Sequence, residues 1–122
     1  IVYDNKNYGI IEAEATGTHN VYTNNLVYHN GTDFRLQNGL VATNTISADP
    51  KFVNYSATGG GDYHLAAGSP AIDAGTSRGA PTSDLDGHVR AQGAGYDIGA
   101  YEFSTSATQV PPGAPTNVRI VR

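Results

Sequence analysis

Cysteine, methionine and tryptophan are all missing from this 122-residue chain. Without cysteine there is no disulfide, no zinc–thiolate site and no thiol nucleophile. Leucine occurs only five times, too seldom for a leucine-rich repeat, which needs several per repeat at fixed places. Basic residues are also few: seven Lys and Arg stand against eleven Asp and Glu, for a net charge of −4. The bases are scattered, so nucleic acid is not an expected partner, because phosphate neutralisation needs clustered cations. No apolar run approaches the roughly 20 residues of a membrane-spanning helix, and no secretory leader is visible. Membrane insertion is not expected. The chain starts at Ile1, inside a strand-like run, and reads as a piece trimmed or excised from something longer.

What is present is glycine (15 residues), asparagine, threonine and serine, set between short runs of Val, Ile and Tyr. That mixture favours strands and turns over helices, in a chain sized for one domain. It also repeats. IVYDN begins at Ile1 and LVYHN at Leu26, so Val2 matches Val27, Tyr3 matches Tyr28 and Asn5 matches Asn30, all at one offset. KFVNY, one further period on, places Phe52 and Val53 under Val27 and Tyr28, although its asparagine is Asn54, one place early. Helical repeats run longer and want Ala, Leu and Lys. Three short strands with tight corners fill about 25 residues. The expected fold is therefore all-β: a right-handed parallel β-helix of about two to three coils of ~25 residues. Its handedness follows the rule for parallel crossovers.

One coil reads as strands at 19–23, 26–28 and 34–36, with corners at Asn24-Asn25, at 29–32 and at Gln37-Asn38-Gly39. Asparagine suits corners because it tolerates left-handed backbone and bonds its own chain. Asn5 and Asn30, in equivalent corners, are candidates for a side-chain ladder. After Phe52 the repeat dissolves. SATGGGD (56–62) reads as a glycine-rich loop and YHL (63–65) as a last short strand. SPAIDAG then reads as one helical turn, with Ser69 as N-cap, Pro70 at the first helical position and Gly75 as the left-handed stop. A single turn does not hold itself together in water. It is expected to lie over the open end of the coils as the start of a lid. Ile98, Ala100 and Phe103 read as strand residues packing back on the stack, and Arg90 is placed to bond Asp97 or Glu102. The organisation expected is one domain over 1–103, with coils to residue 55 and a cap over 56–103. Residues 104–122 are a linker and the start of a further module.

Four motifs in order, DPKFVN, GDYHLAAGSPAIDAG, DLDGHVR and DIGAYEF, resemble the C-terminal end of bacterial secreted or cell-surface right-handed parallel β-helix proteins of the pectate-lyase-like superfamily. The match covers about Asp49 to Phe103. The resemblance implies an extracellular or cell-surface location and a polysaccharide connection. It also implies catalysis, if any, on coils upstream of Ile1. PPGAPTNVRIV resembles the entry to a fibronectin type III domain. Partners expected on this reading are polysaccharide, and either upstream coils or another copy of the chain docked on the first coil.

Candidate chemistry is sparse. A lyase needs a base and a cation to neutralise a uronate, for which Lys51, Arg35 and His64 are the available pieces. A glycoside hydrolase needs two carboxylates across a groove. Asp33, Asp49 and Asp62 are on offer, but nothing in the sequence pairs them. No catalytic residue is therefore assigned. Calcium is the one cofactor suggested. Asp84-Leu85-Asp86-Gly87 has oxygen ligands two apart and a turning glycine, but it lacks the distal glutamate of a calcium loop. The alternative for Asp84 and Asp86 is an Asx-turn loop pinned by Arg90. Tyr3, Tyr28 and Tyr55 stand near equivalent places of successive repeats. Facing outward they form a strip for sugar rings; facing inward they are core. The function expected is the C-terminal capping portion of an extracellular β-helix protein that binds or acts on polysaccharide, with no complete active site in this chain. The alternatives are a non-catalytic surface adhesive or structural protein that self-assembles end to end, and a polysaccharide lyase or glycoside hydrolase with catalysis on upstream coils.

Overall fold

The computed structural model describes residues 1–14 and 17–105. Every regular element among them is a short strand: β1 (Val2–Tyr3), β2 (Tyr8–Ile11), β3 (Tyr22–Thr23), β4 (Val27–Tyr28), β5 (Thr32–Arg35), β6 (Ala42–Thr43), β7 (Phe52–Asn54) and β8 (Asp62–Leu65). The repeat is real at its start. β1 pairs parallel with β4 in the expected register, Val2 on Val27 and Tyr3 on Tyr28. β2 pairs parallel with β5 at a slightly shorter offset, Tyr8 on Thr32 and Ile10 on Phe34. β3 pairs parallel with β6 at a shorter offset still, Tyr22 on Ala42 and Thr23 on Thr43.

Corners repeat along with the strands. Asp4 (φ 60°) and His29 (φ 57°) follow the β1–β4 pair, and Asn24 (φ 53°) and Asn44 (φ 49°) follow the β3–β6 pair. All four take the left-handed conformation that Asn, Asp and His adopt most readily among non-glycine residues. The Asn5–Asn30 bond forms, from Asn5 Nδ2 to Asn30 Oδ1 at 2.8 Å. At Gly31 the paired chains come so close that a Cβ would lie 2.5 Å from the Lys6 carbonyl oxygen.

The expected right-handed parallel β-helix is overturned by the topology. The strands form four separate two-stranded sheets, and none closes or continues as a solenoid. The third repeat copy is where the pattern breaks. KFVNY does not lie under β4; β7 turns back and pairs antiparallel with β8, Phe52 on Leu65 and Asn54 on Asp62. The cause is local. Residues 55–61 contain Gly59 and Gly60 at φ 87° and 72°, which let the chain reverse at little steric cost. Closing so short a loop costs less entropy than pairing across a whole repeat. Ile46 bridges to Leu26 instead, and its carbonyl, not Phe52, meets Val27, accepting from Val27 N–H at 2.9 Å.

The short helical turn is also corrected. Among the described residues there is no helix, and so none long and apolar enough to cross a membrane. SPAIDAG holds a single turn, Ile72 N–H to the Ser69 carbonyl at 3.3 Å. It stops at Asp73, whose φ of 55° is left-handed, before Gly75 is reached. Ser69 still works as a cap, accepting from Ala71 N–H at 3.2 Å and donating to the Pro50 carbonyl at 2.6 Å. Ile98, Ala100 and Phe103 are not in a strand. Ile98 instead donates to the Ala71 carbonyl at 2.9 Å, and Gly75 to that of Tyr96 at 2.6 Å. These two bonds carry Ile98 into the core with Leu26, Leu65 and Ala71. Ile1, Ile46, Phe52, Ile72, Ala74 and Phe103 pack around that cluster. The first residue of β1's run is thus covered by the closing segment, with the Ile1 side chain 3.4 Å from where a Cβ on Gly99 would stand. The further module and the fibronectin-like PPGAPTNVRIV lie outside the described residues.

Candidate functional site

Parallel pairing of β1 with β4 lays the Tyr3 and Tyr28 rings one above the other, 6.2 Å apart and 14° from parallel. The β7–β8 hairpin brings a second group of rings to the same place. Tyr55 meets Tyr3 edge-on at 4.8 Å and 82°, and Phe52 meets Tyr3 at 6.1 Å and 76°. Tyr63 stands edge-on to Phe52 at 5.6 Å. Edge-to-face and offset geometries suit the ring quadrupoles. The three predicted tyrosines therefore come together, but not as a flat ladder. Tyr55 does not continue the Tyr3–Tyr28 stack; it crosses it. Tyr55 is 37% exposed, while Tyr3, Tyr28 and Tyr63 are half-buried. The cluster is thus an aromatic patch on the surface, partly core and partly open.

Its rim is acidic. The Tyr55 hydroxyl donates to Asp4 Oδ2 at 2.8 Å, and His29 Nδ1 lies 3.1 Å from Asp4 Oδ1. That bond to Asp4 is the main reason the Tyr55 phenol is pushed up to about 12. Tyr3 is raised as well, first by burial and then by the Asp49 and Asp4 carboxylates. Sequence reading named the three tyrosines but missed Phe52, Tyr63, Asp4 and His29 as their neighbours. Asp4 and His29 carried a usable signal, since they recur at the same offset as Tyr3 and Tyr28.

Asp84 and Asp86 diverge. Asp84 is buried; its Oδ1 accepts from His88 N–H at 2.7 Å and its Oδ2 from Glu102 N–H at 3.0 Å. Burial works against its charge, but those N–H bonds outweigh it and hold the carboxyl below its usual range. Asp86 Oδ2 turns instead to His64 Nε2 at 2.8 Å. The two carboxylates suggested for calcium thus serve different protein partners. Among the described residues no group of three or more His, Cys, Asp or Glu side chains is arranged to hold a metal ion. Arg90 pins the region, from Nη1 to Glu102 Oε1 at 3.0 Å and from Nη2 to the Gly99 carbonyl at 2.8 Å.

The bond expected from Arg90 to Asp97 or Glu102 thus forms with Glu102, and both acids also hold backbone N–H groups that sequence spacing did not reveal. Glu102 accepts from Asp97 N–H at 3.1 Å and Gln92 N–H at 3.0 Å. Asp97 accepts from Asp73 N–H at 2.8 Å and from Phe103 N–H. Burial raises the Asp97 carboxyl, and the neighbouring Glu102 and Asp73 charges add to this against its own N–H bonds. In the first repeat, buried Glu12 plays the same part, accepting from Asn20 Nδ2, Tyr22 hydroxyl and Gln37 N–H at 2.9, 2.9 and 2.7 Å. These carboxylates stand in for missing ladder partners of irregular backbone.

The remaining catalytic candidates are dispersed. Lys51 Nζ donates to the Gly68 carbonyl at 2.9 Å, and Arg35 to the Tyr8 hydroxyl at 3.1 Å. Asp33 accepts from Asn30 Nδ2 at 2.9 Å, Asp49 from Lys51 N–H at 2.8 Å, and Asp62 faces His64. No family model, curated protein or solved structure matches the chain.

Proposed function

We propose that this chain is a non-catalytic part of an extracellular protein that binds polysaccharide, with the Tyr3–Tyr28–Tyr55 patch as the contact face. The observation that carries the reading is the gathering of these rings, with Phe52 and Tyr63, into one partly exposed patch rimmed by hydrogen-bonding groups. Aromatic faces pack on the apolar faces of sugar rings, and phenols and carboxylates reach sugar hydroxyls. The resemblance of its four closing motifs to the ends of bacterial secreted and surface proteins supports the extracellular placement. The non-catalytic part rests on the candidates for acid, base and cation, each of which is engaged by a different protein partner.

Affinity electrophoresis through gels containing xylan, mannan, hydroxyethylcellulose, pectin or alginate tests this. The expected result is retardation by at least one polymer, lost in Tyr55→Ala, with no unsaturated product released from pectin or alginate. A chain retarded by none of them, or a Tyr55→Ala variant retarded as strongly as the parent, overturns the binding face. Turnover by this chain overturns the non-catalytic reading.

A further inference from the structure

We infer that His64 is a pH-operated latch: charged, it fastens the Asp86 end of the 82–90 loop to strand β8, and neutral, it releases it. The geometry is a side chain held at both ends. Nδ1 lies 2.5 Å from Asp62 Oδ1 and Nε2 lies 2.8 Å from Asp86 Oδ2. A carboxylate only accepts, so both ring nitrogens must donate. Neutral imidazole has one N–H and satisfies one of them; only imidazolium satisfies both. The ring is 18% exposed and Asp86 19%, so solvent screens the contact only in part.

The groups that face the ring come from three segments. Asp62 is on its own strand, Asp86 is on the loop, and the Tyr101 ring packs over it with centroids 3.9 Å apart. β7, paired beside β8, carries Phe52, Val53 and Asn54 and adds no titratable group. The release is confined to one end of the loop. Asp84 and Leu85 remain tied to the closing segment through Glu102 N–H (3.0 Å) and the Ala100 carbonyl (2.9 Å). Opening therefore frees the Asp86 side chain and loosens Tyr101, while Gly87 N–H stays bonded to the Asp84 carbonyl at 3.1 Å. Tyr101 lines a cavity together with Phe52 and Tyr63, two rings of the aromatic patch.

The direction of the response follows from the two partners. Burial opposes the charge on His64, but its bonds to Asp86 and Asp62 outweigh this and raise its pKa. The stabilisation is complete below the ordinary histidine value of about 6.5 and is lost as pH rises through the raised folded value. Asp62 is lowered by the N–H and ring of His64. Its share is present above the ordinary aspartate range and is lost as pH falls through its lowered folded value. The latch is closed between these limits.

Nuclear magnetic resonance titration of His64 in the intact chain tests it, with the denatured chain as reference. The expected result is a midpoint above the denatured one, with both ring nitrogens protonated below it. Asp86→Asn lowers that midpoint. The carboxyl carbon of Asp86, the group in contact with Nε2, shifts with the same midpoint as His64. A single neutral tautomer below the ordinary histidine value of about 6.5, or a midpoint at or below the denatured value, overturns the latch. So does a midpoint unmoved in Asp86→Asn, and if that variant does not fold, the parent titration alone decides.

Discussion

Replacing Glu102 by alanine removes the acceptor at the centre of the closing segment. Its side chain is fully buried and Arg90 is 6% exposed, so the guanidinium loses its ion-pair partner in a largely buried place. Bonds to the Asp97 and Gly99 carbonyls remain, but the N–H groups of Asp97 and Gln92 lose their acceptor. Breaking a buried pair on one side costs about 3–5 kcal/mol, most of it the uncompensated charge. For a domain of this size that lowers the thermal midpoint by roughly 12–20 °C. The assay is urea unfolding followed by tyrosine fluorescence, which eight tyrosines and no tryptophan make clean. An unchanged slope with a lower midpoint reports lost stability alone. Adding Arg90→Met to Glu102→Ala should recover much of the loss, because the stranded charge is gone. A loss below about 1 kcal/mol, the range of exposed pairs, would refute the claim that this pair is buried and holds the segment down.

Asn30→Ala removes acceptors for both Asn5 N–H groups and the donor to Asp33, and should cost about 1–3 kcal/mol in the same unfolding assay. Asn30→Asp should not rescue it, since it sets a second carboxylate beside Asp33. Gly75→Ala places a Cβ 2.8 Å from the Tyr96 and Asp97 carbonyl oxygens. It should destabilise by about 1–3 kcal/mol and speed amide exchange at Ile98. In an alkaline absorbance titration, one phenol of the parent should ionise last, near about 12, and Tyr55→Phe should remove that final step and no other.

Sequence was most informative where identical residues recur at a constant offset. Val2 with Val27, Tyr3 with Tyr28 and Asn5 with Asn30 were each legible, and each is a contact. The reading failed where the offset drifts. The β3–β6 pair has the shortest offset of the three parallel pairs. The asparagine of KFVNY sits one place early, a sign that this segment had left the stack. Local closure through Gly59 and Gly60 then decided its partner. The helical turn failed on one residue, since Asp73, and not Gly75, takes the left-handed backbone. Asp97 and Glu102 were legible as partners of Arg90, but their bonds to backbone N–H groups were not, because every residue but proline carries an N–H; Glu12, held by Asn20, Tyr22 and Gln37 N–H, was missed. The aromatic patch was half legible. Its tyrosines were named from their spacing, but the edge-on approach of Tyr55 depends on the hairpin that the repeat did not foretell.

The most direct measurement on the central claim is a carbon-13 chemical-shift map of the tyrosine rings during titration with oligosaccharides of whichever polymer retards the chain. The account predicts saturable shifts at Tyr3, Tyr28 and Tyr55, with Tyr8, Tyr22 and Tyr96 unmoved. Saturation with the shifts at those other rings, or with the three patch tyrosines silent, would contradict it.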